Sequence, residues 1–193
     1  MVDFLQSKIK NSINLKTELL NNTQLLTSVN NLINDIITCY KNDGKVLWCG
    51  NGGSAADAQH LAAELSGKFY YDRPPLFSEA LHVNTSYTTA VANDYGYDFI
   101  FSRLIKAMGK KGDVLIGLST SGNSPNVIKA IEEANKLGMV TACFTGETGG
   151  KMEKLGKYLI NIPSSDTPRI QECHMLLGHT ICELVEINLF PKQ

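Results

Sequence analysis

Two small-residue loops, each lying between an apolar strand and a helical run, constrain this chain more than any other feature. The first is Cys49-Gly50-Asn51-Gly52-Gly53-Ser54-Ala55-Ala56-Asp57, which follows Lys45-Val46-Leu47-Trp48-Cys49. The second is Ser119-Thr120-Ser121-Gly122-Asn123-Ser124, which leads into Pro125. Glycine lets a backbone approach a ligand closely, and the first unpaired amides of a helix point outward with the positive end of the helix dipole behind them. Either loop alone is compatible with an ordinary turn; the two together point to an anionic ligand, and phosphate suits them. Gly50-x-Gly52-x-x-Ala55 also fits a loose dinucleotide fingerprint. That reading needs an acidic residue closing a second strand, and Asp72 falls instead in a turn-like stretch, Lys68-Phe69-Tyr70-Tyr71-Asp72-Arg73-Pro74-Pro75. With Ser124 as an N-cap and Pro125 at the first helical position, the serine-rich loop fits a compact phosphate monoester better.

Apolar periodicity places these loops in an alternating framework. Leu25, Val29, Leu32, Ile33, Ile36 and Tyr40 recur at spacings of three and four until Asp43-Gly44, and Leu5, Ile9 and Ile13 mark a weaker helix before them. Strands are expected at 45–49, 79–83, 113–118, 139–144 and 158–162, and helices at 54–66, 86–92, 97–108, 125–137 and 169–189. This predicts an α/β fold with a parallel sheet sandwiched by helices, and ligands in such sheets bind beyond the carboxyl ends of the strands, where both loops fall. The 193 residues read as one domain, with 1–43 as a helical N-terminal segment. Gly146-Glu147-Thr148-Gly149-Gly150-Lys151-Met152 approaches a P-loop but lacks its spacing and final hydroxyl, so a turn is expected there.

Composition removes several function classes. Formal charge is -1, from 18 basic and 19 acidic residues without a basic block, which gives no reason to expect nucleic acid. The start does not read as a signal peptide and no apolar run approaches membrane-spanning length, so no membrane is expected and the cytoplasm is the expected compartment. The 5 cysteines, at 39, 49, 143, 173 and 182, lack the spacing of a zinc ribbon or a disulfide framework and read as reduced thiols.

Titratable residues gather on two helices. His60 and Glu64, four apart, share a helix face just after the glycine loop. The last helix offers Gln171, Glu172, His174 and His179. Each has a plain reading, as a surface imidazole–carboxylate pair or as a core histidine among Met175, Leu176, Leu177 and Ile181. Convergence with a phosphate site at one sheet edge is what proton transfer on a phosphorylated sugar requires.

Asn51-Gly52-Gly53-Ser54, His60-x-x-x-Glu64, Asn93-Asp94, Ser119 to Ser124 and Arg169-Ile170-Gln171-Glu172 with His179 following resemble, in order and over nearly the whole chain, the phosphoheptose isomerases of the sugar isomerase (SIS) fold. The resemblance implies a flavodoxin-like doubly wound sheet and an aldose–ketose isomerase acting on sedoheptulose 7-phosphate through an enediol, towards bacterial surface heptoses. It implies Glu64 as base and His179 as the opposing acid–base group. It also implies Ser119, Thr120, Ser121 and Ser124 at the phosphate, Asn51, Gly52, Gly53, Glu64, Asn93, Asp94 and Gln171 at the sugar, and zinc on His60, Glu64, Gln171 and His179. A homotetramer with sites near its subunit interfaces is a further implication. Gln171 and His179 lie eight residues apart, about 12 Å along an ideal helix, so a shared ion requires a helix that starts late or a contribution from a second subunit. Lys68 stands where the family usually has arginine. The rival reading is a non-catalytic SIS-fold regulator of the kind that binds a replication initiator, from which Glu64 and His179 together distinguish this chain.

Overall fold

A computed structural model describes residues 1–192. Two helices open the chain, α1 (Val2–Asn21) and α2 (Thr23–Lys41), separated at Asn22, whose side chain accepts the Leu25 amide and so starts the second helix. There follow β1 (Val46–Cys49), α3 (Gly53–Ser66), β2 (Ser78–Ala80), α4 (Thr85–Tyr95), a 3-10 turn, α5 (Ile100–Met108), β3 (Val114–Leu118), α6 (Pro125–Lys136), β4 (Val140–Thr145), β5 (Tyr158–Asn161) and α7 (Thr167–Leu189).

All five strands are parallel, in the order β2-β1-β3-β4-β5. The chain therefore reverses its winding between β1 and β3, and the loops leaving these two strands open into the crevice where such sheets take ligands. Both are the small-residue loops singled out above.

Burial on both faces explains why the strands are continuously apolar. Along β1, Val46 and Trp48 enter one core with Ile116, Phe144 and residues of α2, α3 and α7, while Leu47 and Cys49 enter a second with Ile105, Val127 and Ile131 of α5 and α6. The 5 cysteines are all free and buried, and burial pushes the Cys39 thiol up to about 11. Among the described residues no helix is long and apolar enough to cross a membrane.

The structure adds one detail to the expected elements and shifts the bounds of two. Leu5, Ile9 and Ile13 do form a helical stripe, but it is exposed; α1 meets its own chain through Leu15 and Leu19. The second strand stops at Ala80 because, after Leu81 donates to Trp48 O, the Val83 amide turns back to Ala80 O. The last helix begins at Thr167, with Pro168 in its first turn, so Gln171 and His179 lie on one continuous helix and the late-start explanation for a shared ion is removed.

His174 and His179 separate cleanly. His174 is completely buried on the edge of the Phe144 ring, and its Nε2 donates to Thr145 O at 3.2 Å while Nδ1 has no partner. Burial pushes it down to about 4, against the opposing effect of that hydrogen bond. The unfolded chain takes up a proton here as pH falls below about 6.5, whereas the folded chain resists until about 4, so the stability associated with neutral His174 is full at neutral pH and declines through that window. His174→Gln keeps a donor for Thr145 and cannot titrate. Its melting midpoint should fall less than that of the native protein between neutral pH and pH 5; an equal fall would contradict the assignment.

Candidate active site

The first loop turns at Gly52 (φ 55), and α3 starts directly behind it. Asn51 faces back across the sheet edge to Asn126, a residue the sequence reading passed over. The two side chains form a reciprocal amide pair, with Asn51 Nδ2 donating to Asn126 Oδ1 at 2.9 Å and Asn126 Nδ2 donating to Asn51 Oδ1 at 2.8 Å. Asn126 is buried at the start of α6 and also accepts the Val127 amide. Tyr97 adds its hydroxyl to Asn51 Oδ1 at 3.1 Å. The two ligand loops are thus tied to each other. The side-chain oxygen of Asn51 already takes two donors, which leaves an amide hydrogen and its backbone for a ligand.

In the second loop Ser119 is buried, its amide donates to Phe144 O, and its hydroxyl lies 2.9 Å from Ser124 Oγ. Ser124 does occupy the N-cap position with Pro125 following, but its side chain makes no capping bond. Thr120 and Ser121 line a cavity of about 260 Å³ with Ser164, Ser165, Thr167 and Glu147. The stretch that approached a P-loop is a turn ending in a 3-10 helix, as expected, and it braces this loop. Gly146 N donates to Thr120 O, Met152 N to Gly122 O and Lys151 N to Asn123 Oδ1.

α3 and α7 run in the same direction, because Gly53 meets Gln171, Leu61 meets Gly178 and the Cys182 thiol faces Leu61 O. Neither contact leaves room for a Cβ: one on Gly53 would collide with the Gln171 amide, and one on Gly178 with the enclosed Leu61 side chain. This close approach brings His60, Glu64 and His179 together. His60 Nε2 lies 3.1 Å from Glu64 Oε1 and 2.9 Å from His179 Nε2, with ring centroids 5.0 Å apart. A neutral imidazole nitrogen carries one proton or one lone pair, so His60 Nε2 makes a directed bond to only one of these two neighbours at a time. Candidate ligand atoms of the three residues lie within 4.8 Å of one another, and the nitrogen–oxygen donor set fits zinc.

Gln171, Asp57 and His179 line one shallow depression beside this cluster, Gln171 lying toward the first loop. Asp57, one turn before His60, was also missed; its Oδ2 is buried without a partner, and burial holds its carboxyl above the usual range despite His60 nearby. Its spacing of three from His60 was the available signal. Asn93 and Asp94 are exposed near the end of α4, where Asn93 Nδ2 donates to Asp94 Oδ1 at 2.9 Å. Their side chains make no hydrogen bond to the histidine–glutamate cluster among the described residues. Lys68 is exposed just beyond the end of α3.

Residues 11–146 match the SIS domain family. A phosphoheptose isomerase of Aneurinibacillus thermoaerophilus is 50% identical over 193 residues, spanning 100% of this chain and 98% of its own. This chain belongs to the phosphoheptose isomerase family. Solved phosphoheptose isomerases agree in fold: that of Neisseria gonorrhoeae has 42% identity and a TM-score of 0.89, covering 95% of this chain and 97% of its own. The one from Francisella tularensis has 35% identity and a TM-score of 0.91 over the same shares.

For this phosphoheptose isomerase family member, the half-buried amide pair predicts a test of loop coupling. Asn126→Leu removes both bonds to the half-buried Asn51 side chain, which should lower stability by about 0.5–1.5 kcal/mol and weaken sugar-phosphate affinity, measured by denaturant unfolding and calorimetry. Native values in both would show that the loops do not depend on the pair.

Proposed function

We infer that the protein converts D-sedoheptulose 7-phosphate into D-glycero-D-manno-heptose 7-phosphate, in the cytoplasm, for heptoses of bacterial surface polysaccharides such as lipopolysaccharide or capsule. The observation that carries this reading is the convergence of His60 Nε2, Glu64 Oε1 and His179 Nε2 beside two small-residue loops at the reversal of the sheet. The shared family with enzymes named phosphoheptose isomerase supplies the substrate. The regulator reading is disfavoured by both the family and the presence of Glu64 and His179.

The second loop holds the phosphate through Ser119, Thr120, Ser121 and Ser124 and the amides at the start of α6. Asn51, Gly52, Gly53, Asn93, Asp94 and Gln171 face the open-chain sugar. Glu64 takes a proton from C1 and the electron pair left behind forms the C1–C2 double bond, while the C2 carbonyl oxygen takes a proton from His179 to give the enediol. His179 then removes the proton from O1, the new C1 carbonyl forms, and C2 takes the proton held by Glu64. Both groups return to their starting protonation states. Acid–base groups of this kind contribute about 10²–10⁴-fold each.

Zinc would be held by His60, Glu64 and His179, with Gln171 of a second subunit as the further ligand; a carboxylate that ligates it is less basic, so the ion would orient and stabilise rather than activate. The family resemblance implies a homotetramer, and the exposed stripe of Leu5, Ile9 and Ile13 on α1 leaves apolar surface for other copies of the chain.

Glu64→Gln keeps shape and hydrogen bonding but removes the base. It should retain sugar-phosphate binding and lose isomerisation by at least about 100-fold, along with solvent deuterium incorporation at C1 and C2. Normal turnover by this variant would refute Glu64 as the base. Protein purified without chelator should carry close to one zinc per site, and His60→Ala should lose it; full activity of metal-free protein under strong chelation would remove zinc from the reaction.

A further inference from the structure

Two fully buried charges lie just beyond the proton-transfer pair. The Arg73 side chain is 1% exposed and that of Glu186 0%, and Arg73 Nε donates to Glu186 Oε2 at 3.0 Å. The same guanidinium closes the end of α3. Its Nη2 donates to the backbone carbonyl of Glu64 itself at 2.9 Å, and its Nη1 to Leu65 O at 2.8 Å and Gly67 O at 3.0 Å. These are carbonyls that a helix end leaves without partners, and Gly67 does not adopt the left-handed conformation that commonly satisfies them (φ -90, ψ -106).

Glu186 serves the other side. Its carboxylate accepts the amides of Phe69 and Tyr70, both at 2.8 Å, and it lies on α7 seven residues beyond His179, two helical turns along the same face. Burial raises the carboxyl of Glu186, but the two amides and Arg73 outweigh it and hold the group below the usual range. The Phe69 ring held in this way lies 5.8 Å from the His179 ring. One ion pair thus fixes the helix end that bears Glu64, the helix that bears His179, and the ring beside that histidine.

We propose that Arg73 and Glu186 form a positioning unit that sets Glu64 against His179. The proposal rests on Glu64 and His179 being the proton-transfer pair. A buried ion pair is a weak source of stability compared with apolar residues of similar volume. The planar fork of Arg73, in contrast, satisfies acceptors on α7 and on the end of α3 at once, which a lysine ammonium on its flexible stem does not reproduce. Neither residue touches the reacting atoms; both act through the placement of others.

Arg73→Lys in the full-length protein keeps the charge and loses the fork. Misplacement of a reacting group by about 1 Å can cost about 100-fold in rate, so kcat should fall by about 10- to 100-fold with KM little changed. The ratio of solvent deuterium incorporated at C1 and C2 to isomerisation events should also change, because the base has moved relative to its partner. Loss of folded protein lowers both processes together and leaves that ratio intact. Should Arg73→Lys fail to fold, the near-isosteric Glu186→Gln carries the same expectation. A folded variant with native kcat, or with reduced kcat and an unchanged ratio, overturns the proposal, as does failure of both variants to fold, which would assign the pair to stability. Glu64→Gln measured in parallel separates the two readings. Normal turnover there overturns the base assignment and the positioning unit with it, whereas an inactive Glu64→Gln beside a native Arg73→Lys overturns the positioning unit alone.

Discussion

The close parallel packing of α3 on α7 is the constraint on which the rest of the site depends. It requires a residue without a side chain where Gly178 meets the buried Leu61. With that contact closed, His60 and His179 face each other at 2.9 Å, and Glu64 joins them from the next turn. A larger residue at Gly178 meets the fully buried Leu61 side chain and pushes the two helices apart, whereas one at Gly53 displaces the end of the Gln171 side chain. Interiors are packed too densely to absorb such a change without a shift of neighbouring elements.

The parallel sheet places the remaining parts. Its winding reverses between β1 and β3, so the loops after those strands open on the same side, and the Asn51–Asn126 pair fastens one to the other. On the proposed function, the phosphate end and the proton-transfer end of the ligand are therefore positioned by the same sheet edge. Rigid placement of both ends is what turns binding of a remote phosphate into orientation of the reacting carbons.

Much of this was legible in the sequence because it is written in local periodicity. Strand–loop–helix order revealed the sheet, and the spacing of four between His60 and Glu64 placed them on one face. Residues 174 and 179 differ by five positions, about 140° around a helix of 3.6 residues per turn, which is why one is a core histidine and the other faces His60. What the sequence concealed depends on contacts between distant segments. Asn126 looked like an ordinary helix-start residue, and Arg73 and Glu186, 113 residues apart, carry no local signal of pairing. The stripe on α1 was read correctly as helical, yet periodicity does not say whether an apolar face meets its own chain or another.

The central claim is that this geometry performs aldose–ketose isomerisation on a seven-carbon sugar phosphate. Incubating the native protein with sedoheptulose 7-phosphate and following the carbon signals by NMR tests it most directly. The expected result is loss of the C2 ketone and growth of aldose anomeric signals with the phosphate still on C7. Persistence of the ketose alone, with binding demonstrated in the same sample, would contradict it.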